Sequence, residues 1–583
     1  MSSVRSASTT VLGLLLVVAP VASAQVAGRA PTVRRGEKTA AIPSQAELPL
    51  KYVGKPTVEA ITAADLMTRL YIFADDSMMG REVGTKYNLM GTAYIEREVR
   101  RLGLVPAGEN GGYFQNLPVF TTYFDSTSSV SIGSDRLAVL RDFLPIAREE
   151  RRIVLDGTPV VYAGESNEST SWLSADEMAG KIVVLNVPAP GLVLPNVPSL
   201  RARITRAVAV FLVSLDRGPE NQKAGALRIQ SLQRDGAPGT PNVLITSRVA
   251  SLLFGSLEGA KAGTIGKSMS GAIIIGKEQA PGRNVVAVLP GSDPALKGQY
   301  VAIGAHNDHI GFNNRPVDHD SIRVYNMVAR PQGEDSPRPA KLTDEQVARI
   351  RVMTDSLHAL HGVRLDSIDN GADDDGTGTV SVLEIAEAYA KAKVRPKRSI
   401  LFVWHAGEEK GLWGSMFFTD HPTVPRDSIV AQLNMDMVGR GALADITGES
   451  KTGELLHGGP GYLQLVGSRR LSTELGDLME TVNTKGKFGF NFDYGMDTNG
   501  HPQNIYCRSD HYEYARYGIP IVFMTTGGHS DYHQVTDEPQ YIDYGHMADV
   551  AKFVKDAATT VANLDHRIVV DKPKPDPKGR CVQ

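Results

Sequence analysis

The second half of the chain repeats apolar runs that are bounded by polar, glycine-rich turns. Five runs are almost continuously apolar: 284–291, 299–306, 399–406, 429–437 and 519–526. Such runs are typical of strands that are buried on both faces of a sheet. Between them, residues 377–393 repeat apolar side chains at helical spacing. This alternation predicts an α/β fold, a three-layer sandwich with a mostly parallel central sheet.

The rest of the chain has different patterns. Residues 62–104 have helical periodicity, whereas 125–280 contain short β-rich runs separated by Gly, Pro and Ser, without a cluster of His, Asp or Glu. Residues 313–366 are polar, with several prolines and a helix-like stretch at 343–361, and are predicted to form a surface insertion. Lysine, proline and aspartate dominate 571–580, which predicts a flexible tail.

The N-terminus has the pattern of an export signal. Arg5 precedes a short apolar stretch at 11–22, and Ala22-Ser23-Ala24 matches a cleavage site. The stretch is too short to span a bilayer, so we expect an exported protein without stable membrane insertion, periplasmic or extracellular. An oxidising compartment permits a disulfide between Cys507 and Cys581, but two free thiols fit the sequence equally well.

Length and composition narrow the classes of protein. The chain has 583 residues, which is more than one compact core accommodates and predicts at least two domains. It is 42% hydrophobic and 22% charged, with a formal net charge of −3. This balance gives no indication of a nucleic-acid partner or of an acidic membrane surface as partner.

Histidines and carboxylates follow several of the predicted strands. The segments that contain them are GAHNDHIG (304–311), DNGADDDGTG (369–378), HAGEEKG (405–411), NMDMVG (434–439) and GGHSDYHQVTDEP (527–539). Because the carboxyl ends of parallel strands meet at one edge of a sheet, we expect these groups to converge there. So many acidic groups need a large positive charge, which a metal would supply. Histidine and carboxylate without thiolate favour Zn²⁺, with Mn²⁺ or Co²⁺ as alternatives.

These motifs, in this order, resemble the M28 family of zinc aminopeptidases, which are two-zinc exopeptidases. The matching motifs are HND, GADDDGTG, GEE, NMD, RSDH and DYHQVTDEP. The resemblance covers 284–566 and extends to 66–123 through MMGREVGTKYN and GLVPAGENGGYFQ. It implies a phosphorylase/hydrolase-like fold with an inserted, β-rich protease-associated (PA) domain. Together with the export signal, the composition of 25–55 and that of the C-terminus, it predicts these domains: a signal peptide (1–24), a linker or pro-segment (25–55), the N-terminal part of the peptidase domain (56–124), the PA-like domain (125–283), the zinc peptidase domain (284–566, with the insertion 313–366) and a flexible tail (567–583).

The resemblance also implies a role for individual residues. His306, Asp374 and Asp436 would hold one zinc, while Asp374, Glu409 and His533 would hold the second, so that Asp374 bridges the two ions. Glu408 would be the general base. Asp308 would orient His306 from behind, and Tyr506 would steady the oxyanion. The nearby residues His309, His405, His511 and His529 receive no role.

The resulting interpretation is an exported two-zinc aminopeptidase that acts on peptides. A carboxypeptidase or a dipeptidase of the same family would share the metal site. A glutaminyl cyclase would use a similar fold with one zinc, and a receptor-like relative would have lost ligands, none of which is lost here. The insertion 313–366 separates HND from DDDG, so we expect it to alter the rim of the pocket.

Overall fold

The computed structural model describes residues 48–167, 172–188, 198–218, 223–233 and 239–583. The predicted signal peptide and most of the predicted linker lie outside these residues. Within the described ranges, no helix combines the length and the apolar character that a membrane crossing requires.

A nine-stranded sheet forms the centre of the larger part of the chain. Its strands are Val105–Pro106, Phe114–Asn116, Arg283–Leu289, Tyr300–His306, Ser399–His405, Ile429–Met435, Tyr462–Val466, Asn491–Asp493 and Ile521–Thr525. The four in the middle of the sheet run parallel, in the order Ser399–His405, Tyr300–His306, Ile429–Met435, Ile521–Thr525. The mostly parallel sheet predicted from the five apolar runs is therefore confirmed. The sequence did not predict the two strands Tyr462–Val466 and Asn491–Asp493 at one edge.

Helices cover both faces of this sheet. Alternate strand residues point to opposite sides, and both sides are apolar. Ile400, Phe402 and Trp404 belong to one apolar core, whereas Leu401 and Val403 belong to the other. The first core includes helices Ala63–Phe73, Lys86–Arg101, Gly378–Lys391, Thr473–Gly486 and Tyr544–Asn563. The second includes Trp413–Asp420 and His511–Ala515. The three-layer sandwich is confirmed.

The β-rich segment forms two further sheets with apolar cores of their own. One contains Phe143–Pro145, Val160–Glu165, Ile182–Asn186, Ala209–Val213 and Asn242–Ile245. The other contains Val119–Phe124, Ser129–Ile132, Asp135–Arg136, Arg151–Val154, Arg228–Leu232 and Met269–Gln279. The helices of the β-rich segment are Ala175–Met178, Pro198–Ile204 and Ser247–Phe254. The first and last strands of the segment pair with each other, Val119–Phe124 against Met269–Gln279. The sheets of this segment thus begin before the predicted boundary at 125, and its identity as a PA domain stays a prediction.

The predicted insertion forms a hairpin and two helices. Strands Gly311–Asp318 and Leu365–Asp369 pair antiparallel and lead the chain out and back. Helices His319–Ala329 and Asp344–His361 lie between them, and the second confirms the helix predicted at 343–361. A two-stranded sheet, Ile446–Glu449 with Leu455–His457, lies outside the central sheet.

The C-terminal residues are tied to the body of the protein, in contrast to the flexible tail predicted for 567–583. Cys581 forms a disulfide with Cys507, which selects one of the two alternatives that the sequence left open. The buried side chain of Gln583 accepts a hydrogen bond from the backbone N–H of Tyr506 at 3.0 Å. A polar composition does not reveal these two anchors, which lie at the end of the predicted tail.

Candidate metal centre

Four of the five predicted metal ligands follow the four parallel strands at the centre of the sheet. The strands and their ligands are Tyr300–His306 with His306, Ser399–His405 with Glu409, Ile429–Met435 with Asp436, and Ile521–Thr525 with His533. The fifth ligand, Asp374, lies in the turn before helix Gly378–Lys391. The structure therefore brings all five to one edge of the sheet.

Asp374 lies at the centre of this group. Its Oδ1 atom is 3.1 Å from Nε2 of His306, and its Oδ2 atom is 3.0 Å from Nε2 of His533. One carboxylate thus faces two histidines from two different segments of the chain, which is the arrangement that a bridging ligand requires.

The His306 side of the centre contains Asp436. Oδ1 of Asp436 is 3.5 Å from Nε2 of His306, and its other oxygen accepts a hydrogen bond from the Ser509 hydroxyl at 2.7 Å. Ser509 belongs to the RSDH motif but received no role from the sequence. Its hydroxyl fixes the orientation of the Asp436 carboxylate.

The His533 side contains Glu409 and one histidine that the sequence did not assign. Oε2 of Glu409 is 3.0 Å from Nε2 of His533, while Oε1 is 2.7 Å from Nδ1 of His309. His309 is fully buried. Its position three residues after His306, in HNDH, was the available indication of a place in the site.

The ligand atoms of the site form two groups, each of which could hold a metal ion. His309, Asp374, Glu409 and His533 place one ligand atom each within 4.8 Å of one another. A second group, His306, Asp375 and Asp436, does the same, so its third member is Asp375 and not the predicted Asp374. Nε2 of His306 and Nε2 of His533 are buried without a hydrogen-bond partner. Buried nitrogen and carboxylate atoms of this kind are compensated when they coordinate a cation.

The charges in this group already perturb one another. Burial acts to raise the pKa of Asp374, but the adjacent imidazoles of His306 and His533 outweigh burial and hold the pKa well below the usual range. Burial, with the charges of Glu409 and Asp436, raises the pKa of Glu408 well above its usual range. The pKa of the adjacent Glu409 is instead lowered to about 2, because His533 and His309 outweigh its burial, so the two glutamates are in very different electrostatic environments.

The loop that carries Asp374 is fixed by several hydrogen bonds. The carboxylate of Asp537 accepts the backbone N–H groups of Asp373 and Asp374, each at 3.0 Å. The buried guanidinium of Arg81 donates to the backbone oxygens of Asn370 and Gly371. Neither Asp537 nor Arg81 was assigned from the sequence. Both hold the backbone in place, so the direction of the Asp374 side chain is set by the fold.

Asp308 supports two parts of the centre from behind. Its Oδ1 atom accepts the backbone N–H groups of Gly407 and Glu408 at 2.7 and 3.2 Å. Nδ1 of His306 lies 3.1 Å from the Asp308 backbone oxygen and 3.8 Å from Oδ1. The backbone oxygen is thus the nearer partner of His306, and the carboxylate holds the turn that carries Glu408.

Tyr506 does not reach the centre. Its ring is buried in the second apolar core and packs against His511 and Tyr512, with ring centroids 5.7 and 5.8 Å away. The oxyanion role implied for Tyr506 is therefore wrong in this structure, because the turn Ile505–Cys507 directs the ring inward. Tyr532 lines the pocket instead, and the hydroxyl of Tyr532 accepts a hydrogen bond from Arg508 at 3.3 Å.

The three other nearby histidines support the surrounding structure. His405 pairs with the Tyr514 hydroxyl at 2.9 Å, and His511 stacks on Phe523. His529 lies 3.2 Å from the Asp373 carboxylate, behind the loop that carries Asp374.

A pocket opens beside the metal-binding groups. Its lining contains the carboxylates Asp335, Asp374, Glu408 and Asp436 and the apolar side chains Met437, Met496, Ile505 and Phe523. Asp335, together with Gln332, comes from the predicted insertion, which therefore contributes to the wall of the pocket as expected.

Fold and site together define an α/β protein with groups of potential metal ligands at the carboxyl edge of its sheet. Residues 284–558 match the model of Peptidase family M28. These residues therefore form a domain of the M28 peptidase family.

Among curated proteins, the chain is 38% identical over 81 residues to leupeptin-inactivating enzyme 1 of Streptomyces exfoliatus, which covers 13% of this chain and 18% of that protein. It is 28% identical over 198 residues to leucine aminopeptidase 1 of Coccidioides posadasii, and this match covers 31% of this chain and 44% of that protein. The chain thus spans less than half the length of these relatives. A solved aminopeptidase from Aneurinibacillus sp. strain AM-1 aligns over 89% of this chain and 98% of its own, with 15% identity and a TM-score of 0.44.

Proposed function

We propose that the protein is an exported aminopeptidase with two zinc ions, which hydrolyses N-terminal residues from peptides. The observation that carries the proposal is the position of Asp374 between His306 and His533, each within 3.1 Å. His306, Asp374 and Asp436 would hold one ion, and Asp374, Glu409 and His533 the other. Zinc ions held in this way polarise a carbonyl group and lower the pKa of water.

Glu408 is the proposed general base. The side chain of Glu408 lines the pocket beside Asp374 and Asp436. The side chain of the next residue, Glu409, contacts His533. A carboxylate at this position can accept a proton from water and return it to the leaving amine. The Asp308 carboxylate fixes the backbone at Glu408, which keeps this group in place.

Tyr532 is the proposed donor to the oxyanion. Burial, with the negative charges of Asp374 and Glu409, raises the pKa of Tyr532 well above its usual value, so the hydroxyl keeps its proton. Because the residue lines the pocket and directly precedes His533, its hydroxyl can donate to an oxygen that develops negative charge.

The charges of the pocket favour a substrate with a free N-terminus. Among the described lining residues, Arg508 is the basic one, and its guanidinium is already paired with Asp335 at 2.8 Å. A carboxypeptidase would need an unpaired cation for the terminal carboxylate. The several carboxylates suit an ammonium group, and the apolar wall suits an apolar first side chain.

A peptide panel tests this proposal. The same leucine-first peptide would be offered with a free N-terminus, with an acetylated N-terminus and with an amidated C-terminus. We expect cleavage of the free and the C-amidated peptides after the first residue and none of the acetylated peptide. Cleavage of the acetylated peptide from its C-terminus would establish a carboxypeptidase, and cyclisation of an N-terminal glutamine without hydrolysis would establish a cyclase.

Export has a separate test. It is supported by the N-terminal pattern, and the disulfide Cys507–Cys581 is compatible with an oxidising compartment. N-terminal sequencing of the protein produced by a secreting host should begin at Gln25. An uncleaved chain that stays in the cytoplasm would contradict export without affecting the peptidase proposal.

A further inference from the structure

A short strap from the insertion passes directly over the metal ligand His533. The strap is Gln332–Ser336, which lies outside the parallel strands that supply the ligands. The backbone N–H of Glu334 donates to the backbone oxygen of Tyr532 at 3.1 Å. A Cβ atom at Gly333 would lie 2.4 Å from that same oxygen. A glycine is therefore needed here for the strap to approach so closely, and its φ of +55° also favours glycine.

The strap is held at several points along its length. The buried guanidinium of Arg330 donates to the backbone oxygens of Glu334 and Ser336, each at 3.3 Å. The Ser336 hydroxyl accepts the backbone N–H of Gln332 at 2.9 Å. Asp335 pairs with Arg508 across the pocket wall. The position of Glu334 is thus determined by contacts before and after it.

Glu334 makes a direct contact with the imidazole of His533. Its Oε2 atom lies 3.0 Å from Nδ1 of His533, while the other ring nitrogen, Nε2, faces Asp374 and Glu409 at 3.0 Å each. A carboxylate that accepts the Nδ1–H of a histidine fixes both the ring orientation and the tautomer. The lone pair of Nε2 is then directed at the metal site.

We propose that Glu334 is a positioning residue for His533, so that the insertion completes the second metal site. This inference rests on the proposed metal centre and adds to it a residue from outside the core of the fold. Loss of such a partner typically lowers metal affinity about 10–100-fold.

The test compares metal binding by variants of the full mature chain. The variants are Glu334→Ala, Glu334→Gln and, as a matched control on the exposed helix of the same insertion, Glu345→Gln. Zn²⁺ affinity would be measured by competition with a chelator, and Co²⁺ would report ligand geometry through its visible absorption. The melting temperature of the metal-free protein would report the fold.

We expect wild type and Glu345→Gln to bind two ions with equal affinities. Glu334→Ala should bind one ion about 10–100-fold more weakly, with a changed Co²⁺ spectrum and an unchanged melting temperature of the metal-free protein. Glu334→Gln should lie between, because its amide oxygen still accepts the Nδ1–H. Unchanged affinities in Glu334→Ala would overturn the inference and leave the proposed function intact. Equal weakening of both ions with a lower melting temperature would also overturn it, and a wild type that binds no metal would overturn both proposals.

Discussion

Glu408 and Glu409 are neighbours in the chain but face different surroundings. Glu409 lies within 3.0 Å of His309 and His533, whereas Glu408 lines the pocket without a hydrogen bond to its carboxylate in the described residues. Two like charges after a buried strand are tolerated because Glu409 contacts two histidines and Glu408 faces the pocket. Their separation allows distinct roles, and each can be tested alone.

Glu408→Gln removes the proton acceptor while it keeps the shape of the side chain. We expect kcat to fall by about 10²–10⁴-fold, which is the usual contribution of general base catalysis. Zinc content should stay at the wild-type value, since Glu408 is not assigned to a metal. The measurement is steady-state hydrolysis of a free-N-terminus peptide, with elemental analysis of the same sample and with Glu345→Gln as control. A variant that hydrolyses the peptide at the wild-type rate would disprove the role of Glu408.

Glu409→Gln should produce the opposite pattern. The neutral amide is a weaker ligand than a carboxylate, so we expect selective loss of the ion on the His533 side. The zinc content should fall from two ions per chain toward one, and activity should recover in part when excess Zn²⁺ is added. Added Zn²⁺ should not restore Glu408→Gln. If both variants respond identically to added zinc, the division of roles between the two glutamates is incorrect.

His511 gives a prediction for stability against pH. Burial lowers the pKa of this histidine to about 3, from a value near 6.5 in the unfolded chain. The unfolded state therefore binds the proton more readily, and stability is lost as the pH falls from about 6.5 toward 3. Relative to His511→Phe, the metal-free wild type should lose about 2 kcal/mol more between pH 7 and pH 5. Urea unfolding of both proteins measures this difference, and parallel pH profiles would show that His511 does not contribute.

The disulfide predicts an effect of reducing conditions. Cys507 and Cys581 are 74 residues apart in sequence, so the bond constrains a long loop of the unfolded chain. Cys581→Ser should lower the free energy of unfolding by about 2–4 kcal/mol. The denaturant midpoint of the wild type should fall on addition of a reductant, and that of the variant should not change. Equal midpoints for the wild type and the variant under oxidising conditions would contradict a stabilising disulfide.

The parts predictable from sequence were those with strong local patterns. Apolar runs such as 399–406 must be buried on both faces, so the parallel strands and the edge where their ends meet followed directly. The order of motifs then placed His306, Asp374 and His533 in one site. Their roles as ligands were implied by the resemblance, whereas periodicity revealed only the strands that precede His306 and His533.

The parts that the sequence missed depend on contacts between distant segments. Glu334 approaches His533 across almost 200 residues of chain, and Asp537 reaches back to the loop of Asp374. The role predicted for Tyr506 was missed for a related reason. The conformation of a single turn decides whether the ring of this residue faces the pocket or the apolar core. A motif gives the residue type and its order, but it does not give the direction of the side chain.

The count of zinc ions in the purified mature chain tests the central claim most directly. Elemental analysis and equilibrium dialysis would be applied to wild type and to Asp374→Asn. We predict two zinc ions per wild-type chain and weakened binding of both ions in Asp374→Asn, because its carboxylate faces both His306 and His533. A wild-type chain that holds one ion at saturating zinc, or an Asp374→Asn variant that loses one and keeps the other unchanged, would contradict a centre bridged by Asp374.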